Sequence, residues 1–370
     1  MIDWTRYEFR EIPFLAVPAI DIRSRDKRAN GRLFYKEPFN NLFENMKKRV
    51  LSEQFPWFYL GSSSTVFGNG KSAFLAALFW DLVELKKNVI WAAATSTPRM
   101  RDLLARIIDA LVSQGKIADL NLRLSPLSID KIAQILSEKD LHLSPSTIYA
   151  LYQLISASQH TITFVYSNIK RSIPVQEHTD LFAALLNLLY ASGEPRLIIL
   201  IDQFEEYVRS HATSAQRQNL GYELNDLLRS TGESTTIVVT THPEAESILF
   251  SQPEADTFAT IETSSVSLPS WNEQNLIGMA RYCMETYRTP AYSKDPLYPF
   301  EEGVMKYFVH RTSLNPRSLI LALRAALLLG SFEDYVVVDE GFLNRHHREI
   351  FGGYENKWHD FKEGKFKYSV

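Results

Sequence analysis

The chain has 370 residues, of which 45% are hydrophobic and 22% charged, so it is long enough for more than one folded domain and too apolar for gross disorder. A net charge of −3 excludes a generally basic surface, and any contact with nucleic acid has to come from a local patch. Its single cysteine, Cys283, excludes an intramolecular disulfide and a cysteine metal site, which fits a reducing cytoplasm.

Met1-Ile2-Asp3-Trp4 carries no basic-then-apolar signal pattern, and a cytoplasmic location without membrane contact is expected. Residues 1–36 alternate apolar runs with cations: Phe14-Leu15-Ala16-Val17-Pro18 precedes Arg23, Arg25, Lys27, Arg28, Arg32 and Lys36. Phe39, Leu42, Phe43, Met46 and Val50 recur at helical spacing and predict a helix over 38–52. Trp57-Phe58-Tyr59-Leu60 reads as a buried strand, followed by a small-residue loop and an Ala-, Leu- and Phe-rich helix over 72–85. A second strand is expected at 88–94 and an amphipathic helix at 100–113. Residues 116–180 are less regular, and 181–190 return to a helical pattern. Leu197-Ile198-Ile199-Leu200-Ile201 is a continuous apolar run, as a parallel strand buried on both faces requires. A helix over 216–229 leads to the β-branched strand 235–240, and a short fifth strand is expected at 257–263. After Pro269 the pattern is helical: 273–286, 300–311 and 316–329. The most apolar stretches, 181–190 and 319–329, are too short for a bilayer and read as buried helices. Strands alternating with helices over the first 265 residues predict an α/β fold with a doubly wound parallel sheet.

The strongest chemical signal is Gly68-Asn69-Gly70-Lys71-Ser72, placed between a strand and a helix. A triphosphate needs backbone N–H groups pointing at it; glycines permit the close approach, and a helix N-terminus adds its own N–H groups and dipole. In this pattern Lys71 reaches the β- and γ-phosphates and the Ser72 hydroxyl ligates Mg²⁺. Thr65 stands where the first glycine of G-x-x-x-x-G-K-[ST] is usual. Asp202 closes the apolar run 197–201 and sits where open α/β sheets bind ligands, at a carboxyl end of a strand, as a carboxylate that holds Mg²⁺ does. A second carboxylate that orients water commonly follows directly, and Gln203 stands there instead; Glu205 is the first candidate and Glu206 the second.

These residues carry a resemblance. Asp202-Gln203-Phe204-Glu205-Glu206 resembles the Walker B motif of STAND NTPases and of P-loop ATPases of the AAA+ superfamily, initiator (origin-recognition-like) clade. Thr236-Ile237-Val238-Val239-Thr240-Thr241-His242 resembles the sensor-1 strand, with Thr240 or Thr241 as the polar residue facing the γ-phosphate. Ser313-Leu314-Asn315-Pro316-Arg317 resembles the sensor-2 turn, with Arg317 as the sensor arginine and Leu314 in a place where relatives usually have glycine. The resemblance covers about residues 30–330 and implies a strand order of 5-1-4-3-2 with ATP–Mg²⁺ between base and helical lid. The expected division is an α/β nucleotide-binding base over 1–265 with a helical insertion at 116–180, a helical lid over 266–345 and a basic-aromatic tail over 346–370.

It also implies homo-oligomers in which a neighbour supplies an arginine. No Lys or Arg occurs between Arg229 and Arg281, where that arginine normally lies, which leaves Arg209, Arg217 or Arg229, or none. Inside the insertion, Ile132-Ala133-Gln134-Ile135-Leu136 and Ser144-Pro145-Ser146-Thr147-Ile148-Tyr149 loosely resemble a helix-turn-helix, but 137–143 is too long for a tight turn, so a helical insertion packed on the base is expected. Two clusters mix cations with aromatics: 23–36 with Phe34 and Tyr35, and 345–368 with Arg345, Arg348, Lys357, Trp358, Phe361, Lys362, Lys365, Phe366 and Lys367. Such clusters either track a nucleic-acid backbone or serve as a solvated terminus or docking tail. His346 and His347 are adjacent, a poor spacing for two metal ligands on one helix face. The expected function is that of an ATPase whose nucleotide controls assembly on DNA or a DNA-bound protein partner. The alternatives are a STAND-type signalling or defence switch on a protein partner, and a nucleotide-binding module with little turnover.

Overall fold

A computed structural model describes residues 3–352 except 18, 53–56, 63–66, 118–126, 139–140, 142, 159, 175–176, 192–194, 233, 251–264, 291 and 293–294. In chain order the elements are α1 (Asn40–Leu51), β1 (Trp57–Ser62), α2 (Lys71–Glu84), β2 (Val89–Ala93), α3 (Met100–Ser113), α4 (Ile129–Glu138), α5 (Pro145–Ser156), α6 (Ile162–Ser172), α7 (His178–Ala191), β3 (Leu197–Asp202), α8 (Phe204–Ser210), α9 (Ser214–Thr231), β4 (Thr235–Thr240), α10 (Pro243–Phe250), β5 (Val266–Leu268), α11 (Glu273–Thr286), α12 (Glu302–Arg311), α13 (Pro316–Phe332) and α14 (Glu340–Phe351). Among the described residues no helix is long and apolar enough to cross a membrane.

The chain divides into two compact units. One comprises residues 41–65 and 77–268 and holds the whole sheet; the other comprises 1–40, 66–76 and 269–370.

In the sheet unit the strands lie in the order β2-β3-β4-β1-β5, all parallel, which is the expected 5-1-4-3-2 read from the other edge. Ile199 of β3 stands level with Ile90 of β2 and Ile237 of β4, so the central strands are apolar because both faces are covered. The fifth strand is Val266–Leu268, paired with Leu60–Ser62 of β1; the stretch 257–263, expected as that strand, lies outside the described residues. Helix α7 is apolar almost all round because it runs through the core, with Leu181, Phe182, Ala184, Leu185 and Leu188 buried. The insertion is part of the same core: Ile132 and Leu136 of α4, Leu151, Leu154 and Ile155 of α5, and Ile162, Tyr166 and Ile169 of α6 are all buried in it.

The second unit joins the N-terminal segment to the helices α11–α14. Phe9 pairs with Arg288 in an isolated antiparallel bridge. The Arg288 guanidinium is buried, lies 4.3 Å from the Phe9 ring and 4.4 Å from the Tyr292 ring, and donates to the Tyr7 carbonyl at 2.7 Å. Arg324 of α13 donates to the Phe14 carbonyl at 2.6 Å, and the Tyr7 hydroxyl donates to the Tyr335 carbonyl at 2.8 Å. Side-chain donors placed on main-chain carbonyls let an irregular segment pack against helices.

Candidate functional site

The Gly68–Ser72 loop lies in the second unit. Helix α2 starts at Lys71, directly after the loop, and the Phe74 N–H of its first turn donates to the Gly70 carbonyl at 2.8 Å. Gly68 and Gly70 hold φ of +93° and +91°, conformations that L side chains rarely adopt, which is the physical reason for glycine at both places. Lys71 and Asn69 are buried, and Ser72 stands one residue into the helix. Thr65, at the place of the usual first glycine, lies outside the described residues.

Trp271, which carries no motif in the sequence, and Asn315, part of the 313–317 turn, both hold this loop. The Trp271 indole N–H donates to the Asn69 carbonyl at 3.0 Å, and the Asn315 amide donates to the Phe67 carbonyl at 2.7 Å. Trp271 packs edge-on against Phe39 at 5.0 Å, and Phe39 stacks with Phe34, which meets Phe74 of α2 edge-on at 5.9 Å. The aromatics within 23–36 are thus tied into the fold: Phe34 is buried, and Tyr35 bonds Glu37 and packs against Tyr282. Arg28 of the same cluster is paired with Asp26 at 2.6 Å and lies over the Tyr287 ring at 4.5 Å.

The Ser313–Arg317 turn is built by helix termination. Leu314 N–H donates to the Val309 carbonyl and Ser313 N–H to the His310 carbonyl, a Schellman closure of α12. Ser313 and Leu314 both take left-handed φ, +53° and +55°. Leu314 therefore stands in a conformation that glycine adopts readily, which accounts for the glycine expected there by resemblance. Asn315 then caps α13 by accepting from Ser318 N–H at 3.0 Å, with Pro316 at the first helical position. Arg317 follows in the first turn with an exposed side chain, and its Cβ would meet a Cβ on Gly68 at 2.8 Å.

The Asp202 and Thr240 strand ends lie in the sheet unit. Asp202 is buried at the carboxyl end of β3, and Thr240 ends the neighbouring β4. The Thr240 hydroxyl donates to Asp202 Oδ1 at 3.1 Å and accepts from Gln203 N–H at 2.8 Å. Thr241 turns elsewhere, donating to Glu246 Oε1 at 2.6 Å. Gln203 is left-handed with φ +60° and exposed, and it starts α8. Glu205 is buried and Glu206 exposed in the first turn of that helix.

Of the arginines weighed as trans-acting, Arg209 is ion-paired with Glu244 at 2.5 Å beside His242, and Arg217 donates to the His211 carbonyl at 3.1 Å. Arg229 is exposed near the end of α9. In the insertion, Ser144 caps α5 and donates to Glu177 at 2.6 Å, and fully buried Thr147 bonds the same carboxylate. Of the tail cluster, Arg345 lies over the Tyr335 ring at 5.7 Å, whereas residues 353–370, with Lys357, Trp358, Phe361, Lys362, Lys365, Phe366 and Lys367, lie outside the described residues. His347 meets the Tyr307 hydroxyl at 2.9 Å and His346 faces Glu333 at 3.2 Å, so the pair points in different directions.

No family model and no curated protein matches this chain. Solved structures do. The ORC2 protein of Aeropyrum pernix in its ADPNP–ADP complexes matches with a TM-score of 0.51 and 13% identity, over 93% of this chain and 73% of that one. Its ADP form gives 0.50 and 14%, over 93% and 71%. The CDC6P protein of Pyrobaculum aerophilum gives 0.51 and 11%, over 87% and 70%. At such identities the likeness is one of fold: the chain shares the α/β fold of these proteins.

Proposed function

We propose that this chain binds ATP–Mg²⁺, hydrolyses it slowly, and uses the bound nucleotide to control its assembly on DNA or on a DNA-bound partner. The observation that carries the nucleotide reading is the pair of left-handed glycines, Gly68 and Gly70, immediately before the N-terminus of α2, with Lys71 at its first position. An ADPNP–ADP complex of a protein with the same fold supports an adenine nucleotide.

In this reading the N–H groups of Gly68, Asn69 and Gly70 and the Lys71 ammonium hold the phosphates. Mg²⁺ takes hard oxygen ligands and keeps several waters, so one carboxylate, Asp202, and one hydroxyl, Ser72, suffice beside the phosphate oxygens. Thr240, bonded to Asp202, would fix that carboxylate and report the γ-phosphate, and Thr241, engaged by Glu246, is the weaker sensor candidate. Glu205 or Glu206 orients water, and Arg317 carries the state of the γ-phosphate to the lid.

Gln203 and the Arg209–Glu244 ion pair favour a second reading, a STAND-type switch on a protein partner or a module that turns over little. Both readings share the nucleotide. The full chain with Lys71→Ala is expected to keep its circular dichroism and to lose labelled-ATP binding. Undiminished binding by the folded variant would sink the proposal.

A further inference from the structure

We infer that Trp271 and Asn315 are positioning residues of the phosphate loop: by holding the Asn69 and Phe67 carbonyls, they aim the Gly70 and Gly68 N–H groups at the phosphates. The argument is geometric and rests on the nucleotide reading above. A trans peptide is planar, and its C=O and the following N–H point in opposite directions. A donor on the Phe67 carbonyl therefore sets the direction of the Gly68 N–H, and a donor on the Asn69 carbonyl sets that of Gly70. Both peptides precede a left-handed glycine, the residue type at which a peptide plane flips most easily. The two joints that most need fixing each receive one donor, at 2.7 and 3.0 Å.

Both donors are themselves held. Trp271 is buried and braced edge-on by Phe39, and its Cζ2 would lie 3.8 Å from a Cβ on Gly70. Asn315 is buried and uses its oxygen to cap α13 while its amide reaches the loop, so one side chain ties the start of that helix to one peptide plane. Loop direction and the start of α13 are thus set together, and Arg317 lies two residues along the same helix.

The test uses the full chain labelled with ¹⁵N-glycine, which gives at most 15 signals, titrated with ADP–Mg²⁺ as wild type, Trp271→Phe and Asn315→Ser. Phenylalanine keeps a ring against Phe39 and removes the N–H. Serine keeps an oxygen for the cap and is too short to reach the Phe67 carbonyl. In wild type the Gly68 and Gly70 amide signals are expected to move on adding ADP–Mg²⁺. In Trp271→Phe the Gly70 response, and in Asn315→Ser the Gly68 response, should shrink selectively, with ADP Kd raised about three- to tenfold. A merely structural role would shift many glycines together and lower the melting temperature without that selectivity, and this outcome overturns the inference. If wild type binds and both variants bind equally with the same two shifts, the positioning role falls and the nucleotide reading stands. If wild type itself binds neither ADP nor ATP, the nucleotide reading falls first. Should one variant fail to fold, the other decides.

Discussion

Glu205 and Glu206 are neighbours in the chain with opposite surroundings: Glu205 is 7% exposed, and Glu206 faces solvent. A carboxylate that orients an attacking water works best where bulk water is kept out and its position is held by packing, and that description fits Glu205. Glu205→Gln is therefore expected to slow single-turnover phosphate release by about a hundredfold or more, and Glu206→Gln by less than about threefold. Equal rates for both variants and wild type would remove both residues from the mechanism. Thr240 shows the same discrimination between adjacent residues. Its hydroxyl bridges Asp202 and the Gln203 N–H, while Thr241 is committed to Glu246. Gln203, in the usual place of the water-orienting carboxylate, instead occupies a left-handed turn that redirects the chain from β3 into α8, with its side chain in solvent.

The Ser313–Asn315 turn joins α12 to α13, and it is made from residues that resist its shape. Left-handed backbone in an L residue costs about 1–2 kcal/mol, and Ser313 and Leu314 adopt it in succession. Ser313 is the residue just past the helix end in the Schellman closure, exposed, and it is the position where glycine is favoured. Ser313→Gly is expected to raise unfolding stability by about 1 kcal/mol, read as a higher midpoint in urea at constant slope. A lower midpoint would show that the turn is not strained. Leu314 is only half-buried, so replacing it would mix relief of the backbone with loss of apolar contact. In the insertion, the start of α5 is already spent on structure. Ser144 and Thr147 both bond Glu177, and Thr147 is fully buried, whereas Tyr149 is 52% exposed.

For the whole molecule, the nucleotide has to act through a difference between ATP and ADP. Arg317 is exposed in the first turn of α13, and a guanidinium can bind a γ-phosphate bidentately, a group that ADP lacks. A non-hydrolysable ATP analogue is expected to produce a self-associated species in sedimentation, and ADP is not. If DNA is the scaffold, assembly in its presence should weaken steeply with salt, and if a protein is, assembly should be DNA-independent. A monomer with the analogue, with ADP and without nucleotide, in the presence and absence of DNA, would end the assembly proposal. The sequence by itself determined the parallel α/β sheet and placed Gly68–Ser72 at the start of a helix and Asp202 at a strand end, because apolar runs, period and contiguous motifs are local and survive in one dimension. Strand β5 at Val266–Leu268 was not legible in the sequence, since three residues carry little pattern and only pairing with β1 defines them. Trp271 and Asn315 meet the loop from 202 and 248 residues away, and in the sequence a Trp before a helix and an Asn before a Pro read as a core residue and a cap. Which of two adjacent threonines reaches Asp202, and which of two glutamates is enclosed, depends on side-chain direction at the ends of packed strands and helices. Only the tertiary structure decided those points, since hydrogen-bond direction is set by neighbours distant in the chain.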